Sequence, residues 1–234
     1  MTSAQIRPSL QRVLLRSDIW RGDRLAQAHE AGVASGFATL DAELPGAGWP
    51  RGALTELLAD GVGIGELGML KGALARCAEQ APVALVAAPF APHAPAWAGV
   101  LPLERLLLVD ARGADVAWAA EALLASGALG AMLLWLPAKA DMRCLRRLQL
   151  AAEAHHAPVF VFRPSAQAHA ASPAVLRLAL RGVAQGLQIN ILKRRGPPCA
   201  QAIVLDIPRP VARARLLDRL AAPRPQAAQP LVEV

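Results

Sequence analysis

Residues 57–70 read "LLADGVGIGELGML", a run in which Gly61, Gly63 and Gly65 stand at two-residue spacing between a short apolar stretch and a helix-forming segment. Glycines so placed let backbone N–H groups converge on a phosphate. A working loop of the form GxxxxGK[ST] adds a lysine for the terminal phosphates and a Ser or Thr for magnesium. Here Glu66 follows the last glycine and Leu67 follows Glu66, while Lys71 comes a full turn later, too far along to substitute. A carboxylate beside a triphosphate repels it by roughly a few kcal/mol even at an effective dielectric near 20. The loop has the outline of a phosphate cradle without its chemistry.

Basic residues form the other constellations. Arg143, Arg146 and Arg147 are related as i, i+3 and i+4 and share one helix face, which suits either plain solvation or contact with phosphate or an acidic partner. In "ILKRRG", strand alternation sets Lys193 and Arg195 on one side and Arg194 on the other. They read as an inter-subunit contact or as charges guarding a sheet edge. Near the start, Leu10, Val13, Leu14 and Trp20 fall close to helical spacing among arginines, a pattern for covering the core or for docking a partner. Arg209, Arg213, Arg215, Arg219 and Arg224 make the end of the chain basic, and the scarcity of aromatic residues around them argues against base stacking on single strands. Cys77, Cys144 and Cys199 lie far apart with no CxxC and no histidine at ligand spacing, so neither a disulfide framework nor a metal site is expected. His155 and His156 fall at the end of a helical stretch, where an imidazole suits the helix C-terminus.

The elements that must position these groups follow from hydrophobic periodicity. Short apolar runs at 53–58, 82–88, 105–111, 130–136 and 158–162 alternate with helical stretches at 65–80, 113–127 and 138–157. Strands apolar on both faces, separated by helices, are what a parallel sheet covered on both sides requires. Three further runs, 174–180, 187–193 and 202–207, have no helices between them and predict an antiparallel extension of that sheet. We therefore expect an α/β fold in three parts: an amphipathic helix and linker over 1–34, a core over 35–208, and a basic, flexible tail over 209–234.

The whole chain sets the bounds. Its 234 residues, 54% hydrophobic and 18% charged, suffice for one sizeable core. Alanine inflates the mean hydropathy, and every apolar run is broken before the ~20 residues that a membrane span needs. No leader pattern opens the sequence, so a cytoplasmic location is expected. The net charge of +7 favours nucleic acid or acidic partner surfaces.

With these residues in view, a family resemblance emerges. The segment 35–58, "SGFATLDAELPGAGWPRGALTELL", resembles the part of RecA-type recombinases that leads into the ATP loop, and "SGALGAMLLWLPAKA" (126–140) is similar to their Walker B segment. In that register the magnesium-organising aspartate falls on Trp135, and the catalytic glutamate falls near Pro89. "GWPRGALTELL", "GIGELGML" and "ILKRRG" together resemble the ImuA family of RecA-like proteins over roughly residues 8–208. The resemblance implies a RecA-like core with a degenerate nucleotide loop and no cofactor. It also implies a non-catalytic accessory role in damage-induced translesion DNA synthesis, near the nucleoid. The partners it implies are a Y-family polymerase homologue of the ImuB type, RecA itself and, indirectly, an error-prone C-family polymerase; the basic helix face, read on its own residues, adds the expectation of a weak DNA contact. A damage-induced division inhibitor of the SulA type, a shortened relative of the same fold, is the alternative.

Overall fold

The structure, a computed structural model, describes residues 31–199 and 201–208. Eight strands form one sheet: β1 (Ala53–Leu58), β2 (Val83–Val86), β3 (Leu106–Val109), β4 (Ala131–Trp135), β5 (Pro158–Arg163), β6 (Leu176–Val183), β7 (Gly186–Lys193) and β8 (Ile203–Leu205). Their spatial order is β3-β2-β4-β5-β1-β6-β7-β8. All neighbours from β3 to β6 pair in parallel, and the β6–β7 and β7–β8 pairs are antiparallel. The expected extension is present, with β6 as the hinge strand that is parallel to β1 and antiparallel to β7.

Helices cover both faces. Following α1 (Ala38–Asp41), α2 (Glu66–Gln80) lies on the face that buries Leu57, Leu133 and Phe160; α3 (Ala94–Ala98) adds Trp97 to the same core. On the opposite face α4 (Asp115–Ala125) and α5 (Met142–Glu153) bury Leu124, Leu145 and Leu148 against Leu54, Leu134 and Val161. Every residue of β1, β2 and β5 is buried, as two-sided covering demands. At the other margin of the core, Val33 bridges to Trp49, whose ring meets Phe160 edge-on at 5.2 Å.

β3 departs from the expectation of full burial. It is the outermost strand, and Leu107 and Leu108 are 39% and 58% exposed on its two faces. Its run is as apolar as those of the central strands, so periodicity did not distinguish an edge from a centre. Phe90, Leu103 and Trp118 are exposed as well, the first before α3, the second just ahead of β3 and the third on α4.

Order in the sheet also fixes where a site can form. From β1 the chain passes to β2, three places away, and returns later to β5 and β6 on either side of β1. The carboxyl ends of β1, β4 and β5 therefore border a crevice at a switch in strand order, the usual position for a ligand in an open α/β sheet.

Candidate functional site

The glycine run forms the turn between β1 and α2. Gly65 is the residue capping α2 and has φ +107°, while Gly61 has φ +133°; both values lie where an L side chain is strained. The turn aims two backbone N–H groups at one point, and the structure shows what fills that point. The carboxylate of Glu66 folds back so that Oε1 accepts from the N–H of Gly63 at 2.7 Å and Oε2 from that of Ile64 at 2.8 Å. Glu66 is buried, and its charge stands in the first turn of α2, where the helix dipole favours an anion. The repulsive group anticipated from the sequence is thus also the internal ligand of the loop. Leu67, half-buried, packs against the core on the α2 face.

Beyond the loop a cleft of about 530 Å³ opens at the strand ends, bordered by Asp60, Gly61, Glu66, Arg112, Trp135 and Arg163. Trp135, the last residue of β4, stacks on Phe162 of β5, with ring centroids 4.5 Å apart and planes 8° from parallel. An aromatic pair occupies the level at which the resemblance would put a metal-organising carboxylate. Pro89 lines a second, adjoining cavity of about 340 Å³ with Phe90, Trp97 and Trp135. Asp110 and Arg112 form an ion pair on the rim at 3.2 Å, both largely exposed.

One charged cluster was not singled out from the sequence. Glu56 in β1 is fully buried; its Oε1 accepts from Arg163 Nη1 at 3.1 Å and from the Ser172 hydroxyl at 3.0 Å, and its Oε2 accepts from Arg177 Nε at 2.5 Å. Register explains the convergence. Arg177 is the direct partner of Glu56 across β1–β6, and Arg163 lies opposite Leu58, two residues on and therefore on the same face. Arg177 also donates to the carbonyls of Gln167 and Ala168, and Arg163 Nη2 to the carbonyl of Ala140 and the side chain of Gln167. Arg163 Nε is buried without a partner. The available signal was a charge inside an apolar strand run, Glu56 in "ALTELL" and Arg177 in "AVLRLAL".

The basic residues divide by role. Lys193 ends β7 and its amine donates to the Ser172 carbonyl at 2.9 Å; partial burial, then the nearby Arg177 charge, push its pKa down. Arg194 follows the strand and turns inward, reaching the Glu43 carboxylate at 2.7 Å and the carbonyls of Glu43 and Pro197. That hydrogen bond, followed by one from Cys199, lowers the Glu43 pKa. Arg195 is exposed. β7 is not an outer strand, since β8 pairs with Leu187, Gln188 and Ile189, but its end at Lys193 runs on past β8. On α5, Arg147 is bound to Glu121 of α4, whereas Arg143 and Arg146 face solvent. Leu10, Leu14, Trp20, Arg209, Arg213 and Arg215 lie outside the described residues. Among the described residues, no group of three or more His, Cys, Asp or Glu side chains is placed to hold a metal, and no helix is long and apolar enough to cross a membrane.

No family model matches the chain, and no curated protein matches it. Among solved structures it is similar to the crystal structure of the RadB recombinase, with a TM-score of 0.60 and 17% sequence identity over 75% of this chain and 96% of that one. At that identity the likeness concerns architecture: the parallel sheet, its flanking helices and its antiparallel close make this a RecA-like α/β fold.

Proposed function

We propose that the protein is a non-catalytic adaptor built on a RecA-like core, acting in DNA-damage tolerance and joining a translesion polymerase assembly through surface contacts. The observation that carries this reading is the pair of hydrogen bonds from Gly63 and Ile64 to Glu66. An anion-binding turn whose donors are already taken by a covalently attached carboxylate offers nothing to a triphosphate and adds a like charge against it. Trp135 on Phe162 and Pro89 beside Phe90 point the same way, because neither position supplies a carboxylate for magnesium or for activating water. Assembly then depends on partner availability and not on a nucleotide cycle.

The resemblance of "GIGELGML" and "ILKRRG" to the ImuA family supports the choice of partners: a Y-family polymerase homologue, RecA and, through them, a C-family polymerase. Arg195, Arg143 and Arg146 are among the exposed cations available for acidic partner surfaces or a weak phosphate contact. Equilibrium binding of labelled ATP with magnesium is the direct test. We expect no saturable binding in the micromolar range and no hydrolysis; micromolar affinity with turnover would overturn the reading. Co-purification from damage-treated cells should bring down a polymerase-like protein, and recovery of the division GTPase in its place would move the function to cell-division control.

A further inference from the structure

β3 closes one side of the sheet, and both of its faces are unfinished. Strand register sets Leu106 and Leu108 beside Val83 and Leu85 on the α2 face, and Leu107 and Val109 beside Ala84 and Val86 on the α4 face. Leu107 and Leu108 are the exposed members of the two pairs. On the α2 side a groove of about 390 Å³ runs between Leu108 and Pro89, Phe90 and Pro92, with Phe90 itself exposed. An edge that is apolar on both faces calls for a neighbour that is covered on both faces. A lone extended peptide does not supply that, whereas a strand carrying its own helices does.

The main chain of this edge is set for pairing. The Ala87 N–H donates to the Val109 carbonyl at 2.9 Å, so Val109 turns its main-chain groups towards β2, and Leu108, one residue earlier, turns its N–H and carbonyl outward. Among the described residues no strand pairs with that side. Two copies joined there in a closed pair run antiparallel about a two-fold axis that passes between two equivalent residues. The charges flanking β3 discriminate among the possible centres. With the axis at Leu108, the exposed Glu104 of each copy stands opposite the exposed Arg112 of the other. Moved to Leu107, the axis sets Glu104 against Asp110; moved to Val109, it sets Asp110 against Leu108 and Arg112 against Leu106. The Leu108 centre also lets the outward N–H and carbonyl of that residue exchange with their equivalents, and it brings the two Phe90 grooves side by side on one face.

We propose that β3 is a self-association edge: two copies of the chain pair antiparallel about Leu108 into one continuous sheet, and reciprocal Glu104–Arg112 ion pairs fix the register. The ion pairs, being exposed, select the register more than they hold the pair together, and the leucines and Phe90 supply the apolar contact. This dimer is independent of what the glycine loop binds.

Sedimentation velocity on the full chain tests the proposal over a concentration range of roughly 1–300 µM. We expect a monomer–dimer equilibrium with a dissociation constant on the order of 10–100 µM, as suits a contact built on one short strand. Glu104→Arg and Arg112→Glu, exposed changes that leave the thermal midpoint in place, should each weaken the dimer at least about fivefold, and the two combined should restore it to within about threefold of the original. Leu108→Lys, which brings like charges together at the axis, should leave a monomer throughout. A chain that is monomeric over the whole range would show that this edge is covered in another way and would overturn the proposal. A dimer indifferent to Leu108→Lys lies on another surface and overturns it equally, as does failure of the combined charge exchange to restore what the single ones lose. An open-ended series of larger species would exclude the closed pair.

Discussion

Glu56 shows how much can depend on one carboxylate. Two arginines and a serine converge on it in a buried site, so removing its charge leaves two guanidinium groups buried against each other. Breaking one side of such a cluster costs about 3–5 kcal/mol. We expect Glu56→Gln to lower the urea midpoint by a corresponding amount, and a change indistinguishable from that of Arg195→Ala would show that the cluster is not needed for stability. Glu43 belongs to a milder class. Its pKa lies below the ordinary 4.5 because Arg194 binds the ionised form, so the contact is fully present at neutral pH and is lost as pH falls through the lowered value. The gain in stability of wild type over Arg194→Ala, followed by chemical denaturation, should shrink only on the acid side of that point. Cys77 is buried and its thiol is pushed up to about 11 by desolvation, so alkylation at pH 8 should reach Cys199 first and Cys77 only on unfolding, as peptide mass spectrometry would read. At this scale the sequence exposed Glu66 as an anomaly, because an acid where a lysine belongs needs no structure to be noticed. It hid the partners of Glu56, which stand 107 and 121 positions away and meet only through strand register.

The elements were more legible than their contacts. All eight strands fall on apolar runs of the sequence and the three long helices on the helical stretches between the first five, and in β1, β2 and β5 burial on both faces is what leaves an uninterrupted apolar signature. Asp141 shows local chemistry agreeing with that pattern: its carboxylate accepts the Cys144 N–H at 2.8 Å and starts α5. The short helices α1 and α3 escaped, since four or five residues carry too little periodicity, and α3 begins in a proline-rich stretch. β3 was misjudged for a physical reason. Leu106–Val109 would be a sound central strand, but nothing pairs with its outer side among the described residues, and apart from its shortness it lacks the usual protections of an edge, having neither lysine nor proline nor bulge. We expect Leu108→Lys to reduce concentration-dependent light scattering while leaving the thermal midpoint within a few degrees; unchanged scattering would mean that this edge does not drive association.

At the scale of the molecule, the last described residues return to the first functional turn. Ile207 packs on Gly65 and Gly68, where a Cβ at Gly68 would come within 2.6 Å of its Cγ2. Truncation after Ile207 should leave the thermal midpoint close to that of the whole chain, whereas Ile207→Asp should lower it clearly; recovery of partners by the truncated chain would exclude the tail arginines from the interface. Architecture was readable from the order of runs, while the return of the C-terminal end to the loop was not, since no local pattern encodes which turn a distant isoleucine will cover. The hydrogen bonds of Glu66 also bear on how the loop could be altered. Replacing Glu66 with lysine alone would strip Gly63 and Ile64 of their acceptor and add a cation without supplying a metal ligand at Trp135. A nucleotide site could therefore be built here only by several replacements at once, because the first of them taken alone removes hydrogen bonds and supplies no metal ligand.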